Sequence, residues 1–166
     1  MNIRLQQRIL GGLTFIIALI TYSLTLEPTA SFWDCSEFIA CAYKLEVGHA
    51  PGAPVYMLLG RLFSLLAAGN TENVAMAINA LSAVVSALTV MFLFHIIYWF
   101  VCKLLQKTKQ FTTTDKVHFI AAFASIAGAL SYAFSDSFWF SAVEAEVYAT
   151  SSMFSALVVW CIIKYE

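Results

Sequence analysis

Apolar residues fill this chain in long runs, and the breaks between the runs are short and polar. The first run, "ILGGLTFIIALITYSLTL", covers Ile9 to Leu26, follows Arg4 and Arg8, and stops at Glu27-Pro28. Its length is close to the minimum for a membrane-crossing helix. A cleaved signal peptide also starts basic and turns apolar, but no clear A-x-A site follows, so the run reads as a retained helix. A second run from Val74 to Leu105, with Asn70 or Thr71 as its cap, exceeds one bilayer thickness and predicts a helix that tilts or protrudes. Two more runs predict helices over Val117 to about Phe134, capped by Thr114, and over Val147 to Ile163, closed by Lys164.

Between the first and second runs the pattern changes. "DCSEFIACAYKLE" carries Cys35, Phe38, Ile39, Ala42 and Leu45 at helical spacing, with Glu37, Cys41 and Lys44 away from that stripe. It predicts an amphipathic helix lying on the membrane surface. "HAPGAP" from His49 is a turn, because two prolines fix φ and Gly52 permits a reversal. "PVYMLLGRLFSLLAAG" is apolar, too short to span, and interrupted by Arg61, which suggests an interfacial or re-entrant helix before the break at Gly69-Asn70. Within the second run, Asn79, Ser82, Ser86 and Thr89 share a face suited to a helix–helix contact, and Ala124 and Gly128 form a small-xxx-small pair in the third. His95 within the second run predicts one interhelical hydrogen bond.

Composition agrees. The chain has 166 residues, 61% hydrophobic and only 11% charged, against roughly 25% charged in soluble domains. Its mean hydropathy is +0.80. The fold expected is all-α and integral to the membrane, one domain of about four spans with amphipathic helices in the first outer loop. No repeat, low-complexity tract or flexible linker divides it. No basic stripe of the kind nucleic acid needs is present. The four cysteines form no C-x-x-C pair and read as small apolar residues.

The net charge of −1 hides an asymmetry. With four spans, Arg4, Arg8, Lys103, Lys107, Lys109, Lys116 and Lys164 fall on one side, and only Lys44 and Arg61 on the other. The acids Glu27, Asp34, Glu37, Glu46, Glu72, Asp136, Glu144 and Glu146 all share that other side. The Lys/Arg bias places the N-terminus in the cytoplasm and the acidic loops outside.

Several acidic-side residues admit two readings. Asp34-x-x-Glu37 has the spacing of a capping box, and Ser141-x-x-Glu144 repeats it before the last helix. The same carboxylates could face a substrate. Glu146, at the mouth of the last helix, could accept hydrogen bonds or hold a cation. Phe138, Trp139, Phe140 and Tyr148 fit an aromatic belt or a sugar-stacking surface. His49 is either a loop histidine with a backbone partner or a neighbour of Asp34 and Glu37. Arg61 either snorkels or meets an anion, a carboxylate or a lipid phosphate. No Ser/His/Asp order, P-loop, dinucleotide turn or H-E-x-x-H occurs, and no metal site is expected from these residues.

"FWDCSEFIACAYKLEVGHAPGAPVYMLLGRLF", "NALSAV" and "SFWFSAVEAEVYA" resemble the N-terminal part of a membrane family catalogued as domain of unknown function 2723, common in Bacteroidetes-type bacteria. That family is similar to the eukaryotic transmembrane protein O-mannosyltransferase and, more distantly, to the GT-C glycosyltransferases. The resemblance covers most of the chain. It departs at His49-Ala50-Pro51-Gly52, where relatives usually have His-Pro-Pro-Gly.

The resemblance implies a GT-C-like N-terminal module, a fragment of a longer enzyme. It implies transfer of a sugar, with mannose a candidate, from a polyprenyl-phosphate donor to a protein or glycan hydroxyl at the outer face of a bacterial inner membrane. The family's acidic residue after the first helix matches Asp34, with Glu37 beside it. Arg61, with Lys44 in reserve, would meet the leaving phosphate, and His49, Glu144 and Glu146 would contact substrate. The need for a divalent cation stays open. The competing reading is a non-catalytic membrane subunit or a transporter fragment. A transporter should carry ionisable groups in mid-span, and here only His95 lies within one.

Overall fold

A computed structural model describes residues 2–50, 52–108 and 114–165. Among these residues all regular structure is helical. The helices are α1 (Ile3–Leu24), α2 (Cys35–Lys44), α3 (Pro54–Ser64), α4 (Val74–Thr108), α5 (Thr114–Ala133), α6 (Asp136–Val143) and α7 (Val147–Tyr165). Short 3₁₀ turns at Leu65–Ala67 and Thr71–Asn73 lead from α3 into α4. Helices α1, α4, α5 and α7 are long and apolar enough to cross a membrane. The protein is therefore an integral membrane protein, as the hydropathy pattern predicts.

Helix α1 starts earlier than the apolar run does. Asn2 accepts a hydrogen bond from the Arg4 amide at 3.0 Å, so the basic turn before Ile9 is already helical. With 22 residues, α1 rises about 33 Å, enough for the roughly 30 Å of hydrocarbon. The 35 residues of α4 rise about 52 Å and overshoot it.

The central element is α4, against which α1, α5 and α7 all pack. Gly128 of α5 lets the chains come close, since a Cβ there would fall 2.9 Å from Ile97 Cδ1. The rest of the α5 contact stripe is Ala121, Ser125, Ala129 and Ala133, all fully buried, whereas Ala124 is only half-buried. The polar face foreseen on α4 is indeed interior: Asn79, Ser82, Ser86 and Thr89 are all buried.

One end of the bundle is tied by long-range hydrogen bonds. Tyr22 Oη donates to the Ala133 carbonyl at 2.9 Å, joining the ends of α1 and α5. Trp139 Nε1 donates to Thr25 Oγ1 at 2.9 Å, and the Glu27 amide to the Val143 carbonyl at 3.0 Å. Asn79 Nδ2 donates to the carbonyls of Glu27 and Thr29, at 2.7 and 2.9 Å. Residues 25–29 are thus held over the start of α4, which aims the following segment at α2.

Helix α2 lies against α3 and α4 rather than only on a lipid surface. Its contact with α3 is close, because a Cβ on Gly60 would meet Ala42 Cβ at 2.8 Å. Two assignments on α2 change. Cys41 is buried, since Gly48 and Met57 cover its flank, and Leu45 is exposed because it ends the helix in a left-handed conformation (φ 56°).

Neither capping box forms. Asp34 precedes α2 but its own backbone is already helical (φ −82°, ψ −3°), and its side chain accepts no cap bond. Ser141 lies inside α6, donating to the Ser137 carbonyl, and Glu144 ends α6 in an extended conformation. The stretch expected to be a polar break is therefore a helix of its own. The aromatic belt also divides: Phe138 is buried against Tyr22, Trp139 is bonded to Thr25, and Phe140 and Tyr148 remain exposed. Helix α5 begins at Thr114; the cap expected from its side chain, like Lys109 and Pro51, lies outside the described residues.

Candidate functional site

The site sits at the acidic end, where the start of α2 meets the junction of α6 and α7 and the loop after α2 folds back onto that helix. Glu37 projects from the first turn of α2 toward the loop. Its Oε1 accepts the His49 amide at 2.6 Å, and its Oε2 lies 3.0 Å from His49 Nδ1. Gly48 permits this approach, since a Cβ there would stand 3.2 Å from Glu37 Oε1. His49 Nε2 faces Asp34 Oδ2 at 3.9 Å. The hydrogen bonds from His49 hold the Glu37 carboxyl below its ordinary range, and that same bond raises the His49 imidazole. The ring also packs on Phe38, with centroids 5.9 Å apart.

Asp34, Glu37 and His49 each offer a ligand atom, and these atoms lie within 4.8 Å of one another. No metal site follows from their spacing in the chain. The loop makes the constellation by folding back across twelve residues. His49 Nε2 faces Asp34, so it could take a cation while Nδ1 keeps its contact with Glu37.

Behind Asp34 lie two buried carboxyls, Glu144 and Glu146. Burial raises both. Glu146 is pushed up to about 7, first by desolvation and then by the charges of Glu144 and Asp34. Glu144 is raised by burial and by Glu27, and a hydrogen bond with the Ser31 side chain opposes the rise. The charge of Glu146 is also felt by the phenol of Tyr56, whose hydroxyl is buried near Ser82 without meeting hydrogen-bond geometry. Two loops distant in sequence therefore supply one acidic patch, with Asp34 at its exposed edge.

The two basic residues are engaged elsewhere. Arg61 Nη1 donates to the Tyr43 carbonyl at 2.7 Å, and its guanidinium lies 5.4 Å from the Tyr43 ring centroid. It neither snorkels freely nor reaches a carboxylate, because the open C-terminus of α2 offers an acceptor nearer by. Lys44 stands 4.0 Å from Glu46, and both are exposed. A mainly apolar cavity of about 510 Å³ opens beside the cluster, lined by Leu45, Val47, Gly48, Ala53, Pro54 and Leu58 among others.

Ser31 and Tyr56 belong to this site and carry no motif of their own. Tyr56 reads as one more aromatic in an apolar run, and only the packing of α3 against α4 brings its hydroxyl beside Ser82, within the influence of Glu146.

No solved structure matches the chain. The curated "Protein O-mannosyl-transferase tmem260" of Dictyostelium discoideum is similar, 28% identical over 157 residues. That alignment covers 92% of this chain and 16% of the relative, so the chain spans under a fifth of its length. The family model described as "Protein O-mannosyl-transferase TMEM260 N-terminal domain" matches residues 34–166, beginning at Asp34 itself. With all but the first helix and its following loop inside that match, the chain belongs to the protein O-mannosyl-transferase TMEM260 N-terminal domain family.

Proposed function

We propose that this chain forms the acceptor side of a membrane glycosyltransferase. The enzyme moves a sugar, with mannose the leading candidate, from a polyprenyl-phosphate donor to a hydroxyl of a protein or glycan. Family membership supports the sugar-transfer reading. One structural observation carries the choice of residue: the Asp34 carboxylate is free of any cap bond, 57% exposed, and next to His49.

In the reaction the acceptor oxygen attacks the anomeric carbon, and the bond from that carbon to the phosphate oxygen breaks. The lipid phosphate leaves with the electron pair, and Asp34 takes the hydroxyl proton. Glu37 holds His49 at two points and so positions the imidazole against Asp34. His49, Glu144 and Glu146 are candidate contacts to sugar or acceptor hydroxyls. Arg61 uses only Nη1 in its bonds to Tyr43 and Ser64, which leaves donors for the departing phosphate, with Lys44 the reserve. The apolar cavity under the 45–53 loop suits a polyprenyl chain. In this reading the basic end is cytoplasmic and the acidic end faces the periplasm or lumen.

The test is Asp34→Asn and Asp34→Ala in the full-length protein. Because Asp34 caps nothing, both variants should keep the parent's unfolding temperature at a pH where Glu146 is protonated. Transfer should fall about 10²- to 10⁴-fold. Near-normal transfer in a folded variant removes Asp34 as the base and favours a non-catalytic role for this segment.

A further inference from the structure

At the opposite end of the bundle, α1, α4 and α7 enclose a cavity of about 590 Å³. It is lined by Arg4, Gln7, Arg8, His95, Trp160 and Lys164. Three of these six side chains are cations at neutral pH, and among the described residues no carboxylate lines the space. Among the described residues, no ion pair joins Arg4, Arg8 or Lys164 to an acid. Helix-end Lys and Arg ordinarily extend singly into water or headgroups. Here three of them, all exposed, border one space between helices, where each raises the electrostatic cost of the others unless an anion joins them.

The cavity wall is built rather than incidental. His95 is seated against α1 because Gly11 has no side chain: a Cβ there would fall 2.7 Å from His95 Nε2. Its Nδ1 lies 3.4 Å from Gln7 Nε2. Lys164 Nζ stands 5.6 Å from the centroid of the Trp160 ring, at the mouth. A second cavity of about 220 Å³ shares Gln7, His95, Trp160 and Lys164, and Tyr98, Trp99, Cys102 and Ile163 complete it. The second cavity runs from His95 toward the Lys103 end of α4, so both chambers lie at the basic face of the bundle. An amphiphile fits that position, its phosphate at the basic face and its hydrocarbon along Ile9, Leu13 and Ile16, which follow Arg8 into the span and are exposed. A soluble phosphate would use only the first chamber.

We propose that the cavity between α1, α4 and α7 binds an anionic phospholipid, its phosphate among Arg4, Arg8 and Lys164 and its acyl chains in the bilayer along the exposed Ile9, Leu13 and Ile16 of α1. Basic pockets between spanning helices at a membrane face are suited to such headgroups. The site is separate from the acidic end and does not depend on the sugar-transfer reading.

Native mass spectrometry of the full-length protein, stripped of lipid in neutral detergent and titrated with phosphatidylglycerol or phosphatidylcholine, tests this. Phosphatidylglycerol should bind more tightly. Its affinity should fall about fivefold for each charge removed in Arg8→Gln and Lys164→Gln, with little change for phosphatidylcholine. Lys164→Arg should restore binding. If the double variant loses its parent's unfolding temperature, Arg4→Gln, on an exposed side chain, carries the same fivefold expectation. Equal affinity for both lipids, or unchanged phosphatidylglycerol binding in a folded variant, overturns the proposal. Displacement of phosphatidylglycerol by equimolar inorganic phosphate also overturns it, assigning the chamber to a soluble phosphate.

Discussion

Glu37 grips His49 twice, taking the backbone amide on one carboxylate oxygen at 2.6 Å and facing the ring with the other at 3.0 Å. The pair closes the 45–53 loop onto α2 and sets the imidazole against Asp34. Its pH window follows from the shifts. Glu37 lies below its ordinary value, so its contribution is present above that value and is lost as pH falls through the lowered one. His49 lies above its ordinary value, so its contribution is full below that value and is lost as pH rises through the raised one. The pair therefore contributes in full between the ordinary values of 4.5 and 6.5, and the contribution is lost progressively out to the two shifted values. In Glu37→Gln the His49 midpoint should fall toward its ordinary 6.5. Histidine NMR titration, with the His49 signal identified by its loss in His49→Gln, measures this.

Glu146 makes an opposite demand on pH. Its carboxyl binds a proton more tightly in the folded protein than in the unfolded chain, with a value near 7 against an ordinary 4.5. Stability should therefore fall as pH rises through that interval. The loss amounts to no more than about 3 kcal/mol. Glu146→Gln should flatten the decline in unfolding temperature. Asp34→Asn should reduce it in part, because the Asp34 charge contributes to the shift. An unchanged pH profile in Glu146→Gln would show that another group is responsible.

Asn79 holds the 25–29 segment through two donated bonds from one amide nitrogen. Asn79→Leu leaves the carbonyls of Glu27 and Thr29 without that donor. It should cost about 1 to 3 kcal/mol of stability, read as a lower unfolding temperature in detergent. Because this segment leads to Asp34, the transfer rate should fall as well. Raising acceptor concentration should recover only part of it.

Gly60 is where α2 rides on α3. Gly60→Val places side-chain atoms where Ala42 Cβ already stands, 2.8 Å from an added Cβ. The helices must separate, at about 1 to 3 kcal/mol. Gly12→Ala, at a position where an added Cβ meets nothing within 4 Å, is the control and should leave the unfolding temperature unchanged or slightly raised.

The spans were legible in the sequence because a bilayer demands long, uninterrupted apolar helices, and few other structures satisfy the backbone there. The polar face of α4 was legible for a related reason: Asn79, Ser82 and Ser86 are too costly to point into lipid. The charge asymmetry also needed no coordinates, since alternating spans sort the loops by themselves. The i, i+3 spacing at Asp34 and Ser141 misled, because a capping motif specifies which groups could bond and not which partner is nearest. His49 reached Glu37 first, and α6 absorbed Ser141. Residues one turn apart on a helix are neighbours by covalent geometry alone. Asp34 and Glu146 are not, and neither are Arg8 and Lys164. Those pairings are made when α4 gathers α1, α2, α3 and α7 around itself, so both the acidic patch and the basic cavity exist only in the folded chain.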